Sequence, residues 1–347
     1  MVSYELLETL SGLAGVSGYE ERFSHRIYEM FEKYCDIVYR DNLGSIIGVK
    51  KSSVPDAKKV MLEAHMDEIG FMITNIDKNG FLGITSVGGI DARILLGNEV
   101  VVHGKKDIIG IVGAKPPHVL SPDERNVSVP FDKLYIDTGY SYDEIKELVS
   151  VGDTATFENS FIRLKNGRVA TKCQDDRSSV AILITLMDKL SNVNLPFDVY
   201  FTASVQEEVG LRGARTAAYG INPDLALVID VCHASTPDAS KDTYPFGSGA
   251  VITKGPNIHP VAVRRLTEIL DDNNIKYTID IEGGDTGTDA WAIQVVRCGV
   301  PTVLFSIPLR YMHTPVETVS VADLDVTTAA IYTFLTNIKG LEECICF

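Results

Sequence analysis

The strongest constraint in this chain is a rhythm of alternating helix and strand that is interrupted once. After about Arg168, helical spacing of apolar residues marks Ser178–Leu190, Arg212–Tyr219, Pro260–Asp272, Asp289–Cys298 and Val321–Asn337. Between these helices lie strand-length apolar runs at Phe197–Val205, Asp224–Asp230, Lys276–Ile281 and Thr302–Ser306. Such alternation predicts an α/β fold with a mostly parallel central sheet covered by helices. The N-terminal stretch belongs to the same layer system. Leu6, Leu7, Leu10 and Leu13 predict a first helix, and Phe23, Ile27, Phe31 and Tyr34 the buried stripe of a second. Ser17 and Glu20 stand in capping-box register before it. Strands follow at Asp36–Arg40, Ser45–Lys50 and Lys59–His65, the first two joined by the turn Asp41-Asn42-Leu43-Gly44.

The interruption is β-rich. Short strands are expected at Ile69–Ile76, Phe81–Val87, Glu99–Val102, Ile108–Ala114 and Thr154–Phe157, with one helix near Ser141–Val149. Strands this short and regularly spaced suggest a small barrel or sandwich. The expected organisation is therefore one α/β domain, 1–66 plus 168–347, split by a β-rich insertion at 67–167.

Charge narrows the partners. The 347 residues include 47 acidic and 32 basic ones, a formal net charge of −15. A phosphate-binding surface needs a positive field, so neither nucleic acid nor an anionic membrane is an expected partner. No apolar run approaches the roughly 18 residues of a membrane span. The N-terminus lacks the basic-then-apolar pattern of a signal peptide. Six cysteines without a CxxC pair are not a disulfide framework. These features predict a cytoplasmic protein.

In sheets of this kind, sites lie at the carboxyl ends of strands. Five strand or hairpin ends carry histidine or carboxylate: His65 with Asp67 and Glu68, Asp175-Asp176, Glu207-Glu208, Asp230, and His313. Each alone has an ordinary explanation. A histidine at a strand end is usually hydrogen-bonded structure, a Glu-Glu pair usually solvated surface, and Asp-Asp before a helix usually a cap. Together they can hold two divalent ions if one carboxylate bridges them. Glu207-Glu208 offers one side chain for a metal and its neighbour for proton transfer. There is no GxSxG, P-loop, HExxH or GxGxxG pattern. Gly283-Gly284-Asp285-Thr286-Gly287 reads as a tight turn, since it carries no lysine for a phosphate.

The motif series resembles the tetrahedral, or glutamyl, aminopeptidase family of dinuclear metallopeptidases, some of whose members carry an endoglucanase label. The resemblance rests on Ala64-His65-Met66-Asp67-Glu68-Ile69-Gly70, Asp175-Asp176-Arg177, Val205-Gln206-Glu207-Glu208-Val209-Gly210, Asp230-Val231-Cys232-His233-Ala234, Gly287-Thr288-Asp289-Ala290 and Arg310 through Glu317. It implies that His65 and Asp230 bind one metal, Glu208 and His313 the other, and Asp175 bridges them. It implies Glu207 as general base and Asp67 as the carboxylate that orients His65. The implied cofactors are two divalent ions, zinc or cobalt, and the implied substrates short peptides. A PDZ-like insertion would serve dimerisation, and the dimers would build a homo-oligomer, a tetrahedral dodecamer. The chain departs from the family pattern at Cys173-Gln174, Cys232 and Trp291. Cys173 near the site suggests oxidant sensitivity, and Trp291 a narrowed substrate pocket. Two other readings stand beside this one. One is a glycosidase using Glu207 with Asp67. The other is a non-enzymatic member whose insertion binds peptides or assembles.

Overall fold

The computed structural model describes residues 1–113, 115, 117–123, 127, 129–239 and 243–346. Helices α1 (Tyr4–Ser11) and α2 (Glu21–Phe31) lead into strands β1 (Ile37–Arg40), β2 (Ile46–Lys50) and β3 (Lys59–His65). The β-rich stretch holds β4 (Gly70–Ile76), β5 (Leu82–Val87), β6 (Glu99–His103), β7 (Asp107–Val112), β8 (Tyr135–Asp137), helix α3 (Tyr142–Ile145) and β9 (Thr154–Phe157). A hairpin, β10 (Ile162–Leu164) and β11 (Arg168–Thr171), returns to the first layer. There follow α4 (Gln174–Leu190), β12 (Asp198–Ser204), α5 (Arg212–Ile221), β13 (Leu225–His233), β14 (Ala250–Lys254) and α6 (Pro260–Asp272). The chain continues through β15 (Tyr277–Ile281), α7 (Asp289–Ile293), β16 (Thr302–Arg310), β17 (Glu317–Ser320), α8 (Val321–Asn337) and α9 (Glu342–Ile345).

The large sheet has the order β1-β2-β12-β3-β13-β16-β17-β11-β10, with β14 and β15 branching from β16. Its centre, β12-β3-β13-β16, is parallel, and its flanks are antiparallel. All seven residues of β12 and the first seven of β13 are buried, as expected where both faces of a parallel sheet are covered. Helix α4 packs on β3 and β13 and against α1 and α8, while α5 and α7 pack together and on β12 and β16. Register then fixes the site. His65 pairs with Ser204, and Asp230 with Ser306, so the ends of the central strands are level.

Strands β4-β5-β8-β7-β6-β9 close into a separate barrel with its own core around Phe71, Val100, Val112 and Ile136. Closure removes the exposed edges a short antiparallel sheet would otherwise present. In β7, burial alternates residue by residue, leaving Ile109 and Ile111 outside. The expected strand Ile108–Ala114 ends at Val112, and Ala114 lies outside the described residues.

One expected cap is not formed by its side chains. The Ser17 hydroxyl donates to Asp67, and Glu20 accepts from the amides of Gly18 and Gln206, so neither closes a capping box on α2. Asp323 accepts from the amides of Gly247 and Gly249, which lie in the loop before β14. The capping box of Ser141 with Glu144 is present.

Candidate active site

The carboxyl ends of the parallel strands open into a cavity of about 1110 Å³. His65 ends β3, Asp230 lies within β13, and Glu207 and Glu208 follow β12 by a few residues. Asp175 sits in the irregular first turn of α4, joined to Asp176 by a cis peptide bond, and His313 in the turn between β16 and β17. The structure thus brings together every residue the sequence nominated as a ligand. His65, Asp175 and Asp230 place one donor atom each within 4.8 Å of one another, as do Asp175, Glu208 and His313. Asp175 is common to both groups. His65 Nε2 lies 3.1 Å from one Asp175 oxygen, and His313 Nε2 lies 3.5 Å from the other and 3.3 Å from Glu208. Glu207 also lies within 4.8 Å of His65 and Glu208.

Electrostatics show what such a cluster lacks. Burial raises the Glu207 carboxyl to about 10, with Asp289, Asp230 and Glu208 adding to the rise against the pull of His65. Burial and the nearby Asp175 charge also raise Glu208 and Asp230. Burial alone would lower His313, but Asp175 and Glu208 outweigh it and drive the ring to about 11. Burial would raise Asp175, but hydrogen bonds from His313 and His65 outweigh it and hold the carboxylate charged. Buried carboxylates that must otherwise protonate are satisfied by cations. The donor set of imidazole nitrogens and carboxylate oxygens suits a borderline divalent metal.

Asp67 shapes the site without lining the cavity. It is fully buried, accepts from the Ser17 hydroxyl, and accepts from the amides of Glu207 at 3.0 Å and Glu208 at 3.2 Å. Its Oδ1 lies 3.6 Å from His65 Nδ1, which has no hydrogen-bond partner among the described residues. One carboxylate therefore positions the loop after β12 and faces the back of His65. Asp67 cannot reach a sugar from there, so the glycosidase pairing of Asp67 with Glu207 loses its geometry.

Two features were not legible as functional. Glu317, at the start of β17, accepts from the Asp175 amide at 3.0 Å and the His313 amide at 2.7 Å. It thereby locks one residue shared by both groups and one of the histidines. Its sequence signal is its place at the end of the motif that runs from Arg310, four residues after His313. Glu317→Gln is expected to weaken metal binding about 10- to 100-fold, as loss of an outer-shell partner typically does, checked by competition against a chromogenic chelator. The second feature is a buried ion cluster. Glu68 meets Lys172 at 2.6 Å and Arg177 at 3.0 Å. Arg177 also donates to the carbonyls of Leu10, Leu13 and Met66 and lies 3.9 Å over the Phe23 ring. The Arg of Asp175-Asp176-Arg177 thus ties α1, the end of β3 and α4 together beside the candidate ligands.

Cys173 and Trp291 do not behave as the sequence suggested. Burial pushes the Cys173 thiol up to about 12, the reverse of an activated thiolate, despite Lys172 beside it. Trp291 is 37% exposed on α7 and does not line the cavity, so it does not narrow it. Cys232 does line it.

Overlapping His-carboxylate groups with a shared carboxylate, set at the mouth of a parallel sheet, define the class of metal-dependent hydrolases. A family model described as M42 glutamyl aminopeptidase matches residues 44–329, and the chain belongs to that family. It is an enzyme, a peptidase of a metal-dependent family. The chain is similar to the lysyl aminopeptidase of Pyrococcus furiosus, 34% identical over 99% of each chain. It superimposes on an aminopeptidase of the archaeon Desulfurococcus kamchatkensis with a TM-score of 0.91, at 35% identity, covering 99% of this chain and 97% of that one. It superimposes on the Pyrococcus horikoshii TET1 peptidase, described as assembling into a tetrahedron or an octahedral shell, with a TM-score of 0.86. That pair is 33% identical, covering 97% of this chain and 100% of the other.

Proposed function

We propose that this protein removes N-terminal residues from short peptides at a two-metal site. The observation that carries the reading is the sharing of Asp175 between the two His-carboxylate groups. His65 and Asp230 would hold one ion, Glu208 and His313 the other, and Asp175 both. Two such ions, zinc or cobalt, would polarise the scissile carbonyl and lower the pKa of the attacking water. Glu207 is not needed to complete either group. Its carboxylate accepts the proton of the attacking water and delivers it to the nitrogen of the leaving amine. Asp67 holds the Glu207 amide and faces His65, so base and ligand keep a fixed relation.

An exopeptidase of this kind needs a free substrate amine. A Leu-Gly-Gly peptide is expected to be cleaved and its N-acetylated form not, with a chelator abolishing the first reaction and Zn²⁺ or Co²⁺ restoring it. Cleavage of both forms at equal rates would contradict the reading.

We further infer the division of the chain into a catalytic unit, 1–66 with 168–347, and an inserted unit, 67–167, that joins subunits. The separate barrel core and the outward Ile109 and Ile111, 56% and 48% exposed, support it from β4 to β9, while β10 pairs in the large sheet and so goes with the catalytic unit. A homodimer is the expected building block, and a dodecamer the expected assembly. Light scattering should give a mass at least twice 38.0 kDa; a monomer at micromolar concentration would contradict this. Six unpaired cysteines suit a cytoplasmic protein. Among the described residues, no helix is long and apolar enough to cross a membrane.

A further inference from the structure

Glu207 and Glu208 reach the cavity from a segment that is neither strand nor helix. It runs from the end of β12 at Ser204 to the start of α5 at Arg212. Backbone groups in such a segment still need partners. Its carbonyls find them locally: Val205 accepts from the Gly213 amide, Gln206 from Arg212, and Glu207 from Gly210 and Leu211. Its amides find them on carboxylates from distant parts of the chain. Asp67 takes the amides of Glu207 and Glu208, one on each oxygen, and Glu20 takes the amide of Gln206 at 3.1 Å. Three successive N–H groups are thus held by two carboxylates.

Gln206 is the bend in this segment. Its φ of 57° is left-handed, a conformation that a residue with a side chain keeps only where its surroundings hold it. Oε1 of Glu20 accepts from both the Gln206 amide and the Gly18 amide, the latter at 2.7 Å. Glu20 is buried just ahead of α2, and the stretch before it is fastened to the residues after β3. The Ser17 amide donates to the Glu68 carbonyl at 3.1 Å, and the Glu68 amide to the Gly15 carbonyl at 3.0 Å. Glu20 therefore grips Gln206 from a fixed support. It does not line the large cavity that holds the candidate ligands.

Burial raises the Glu20 carboxyl to about 7, the Asp67 charge adds to the rise, and the amides of Gly18 and Gln206 oppose it. Glu20 lines a smaller cavity of about 380 Å³, with Glu21 and Arg22 from its own helix, Arg40 from β1 and His103 from β6. Arg22 and His103 are both paired with Asp107, at 2.8 and 3.0 Å. Arg212 reaches the Gln206 side chain at 3.5 Å. Among the described residues no cation pairs with Glu20, so its charge is held chiefly by backbone amides.

We propose that Glu20 is a positioning residue for the reaction: through the Gln206 amide, its carboxylate sets the backbone that aims Glu207 into the cavity. This role rests on the aminopeptidase reading above and adds the segment between α1 and α2 to its machinery. A hydrogen bond to a charged acceptor is roughly twice as strong as one to a neutral acceptor. A small displacement of a catalytic group costs rate steeply. Glu208 keeps its own tie to Asp67, so metal binding does not depend on Glu20.

The test is kcat, KM and metals per chain for wild type, Glu20→Gln and Glu20→Ala across a range of pH. It uses the full-length, metal-loaded protein and the best of leucyl, lysyl and glutamyl p-nitroanilides. Glu20→Gln keeps an oxygen acceptor and loses the charge, whereas Glu20→Ala loses both. Above about pH 8, kcat should fall about 3- to 10-fold in Glu20→Gln and about 10- to 100-fold in Glu20→Ala, with KM and metal content at wild-type values. The ratio of wild-type to Glu20→Gln kcat should close toward one below about pH 6, where the wild-type carboxyl is protonated too. Titrations common to both proteins cancel in that ratio. Wild-type kcat in both variants overturns the assignment. So does a loss of turnover that tracks loss of metal, or a ratio that does not change with pH. If Glu20→Ala does not fold, the Glu20→Gln ratio decides alone. Each of these failures leaves the aminopeptidase reading standing. Cleavage of none of the three substrates by wild type overturns that reading, and this assignment with it.

Discussion

Glu207→Gln is expected to lower kcat on an aminoacyl anilide about 10²- to 10⁴-fold, the range of a positioned general base. The replacement is nearly isosteric, so the chain around it has no reason to move. The Glu207 amide remains tied to Asp67, and the amide side chain fills the same space. What disappears is the capacity to take a proton, because an amide oxygen accepts hydrogen bonds but does not ionise. Both His-carboxylate groups stay complete without Glu207, so metal content should match wild type. The informative pair of measurements is kcat and metals per chain on one sample. Loss of metal together with loss of turnover would make Glu207 a ligand rather than a base.

Asp175→Ala should have a larger and different effect. Its two oxygens face His65 on one side and His313 on the other. Removing them deprives both groups of a ligand at once. His65 also loses the carboxylate nearest it, while His313 keeps Glu208 at 3.3 Å. Metal affinity should fall more than the roughly 10- to 100-fold typical of outer-shell losses. Activity should fall below detection at metal concentrations that saturate wild type. By contrast, His313→Ala leaves the group of His65, Asp175 and Asp230 intact and should retain one ion. The difference between these two variants separates a shared ligand from two independent sites.

The candidate ligands were readable from sequence because strand ends are readable. A buried parallel strand is an apolar run such as Val60-Met61-Leu62 or Leu225–Ile229, and the first polar residue beyond it marks the sheet's carboxyl edge. Asp230 follows that rule directly, while His65 stands two residues past Glu63 and the Glu207-Glu208 pair just past Gln206. What the chain pattern does not encode is which distant groups converge behind the edge. Ser17 looked like a helix cap because capping is a local pattern, yet Asp67 takes its hydroxyl from 50 residues away. Glu317 and Glu68 stand in motifs the sequence marks, but their partners lie 104 to 142 positions away at Lys172, Arg177 and Asp175. Strands β8 and β14 were missed for a related reason. β8 is only three residues long, and its existence is set by closure of the barrel rather than by its own propensity. The thiol of Cys173 was misread because its distance from the ligands was legible and its burial was not.

The central claim is that two ions act together through one shared carboxylate. The most direct measurement strips the protein with chelator, returns Zn²⁺ or Co²⁺ in sub-stoichiometric steps, and follows aminoacyl-anilide hydrolysis against metal bound per chain. Full activity is expected only as the second equivalent binds, and no recovery is expected for Asp175→Ala. Activity that survives complete chelation, or returns in full with a single equivalent, would contradict the account.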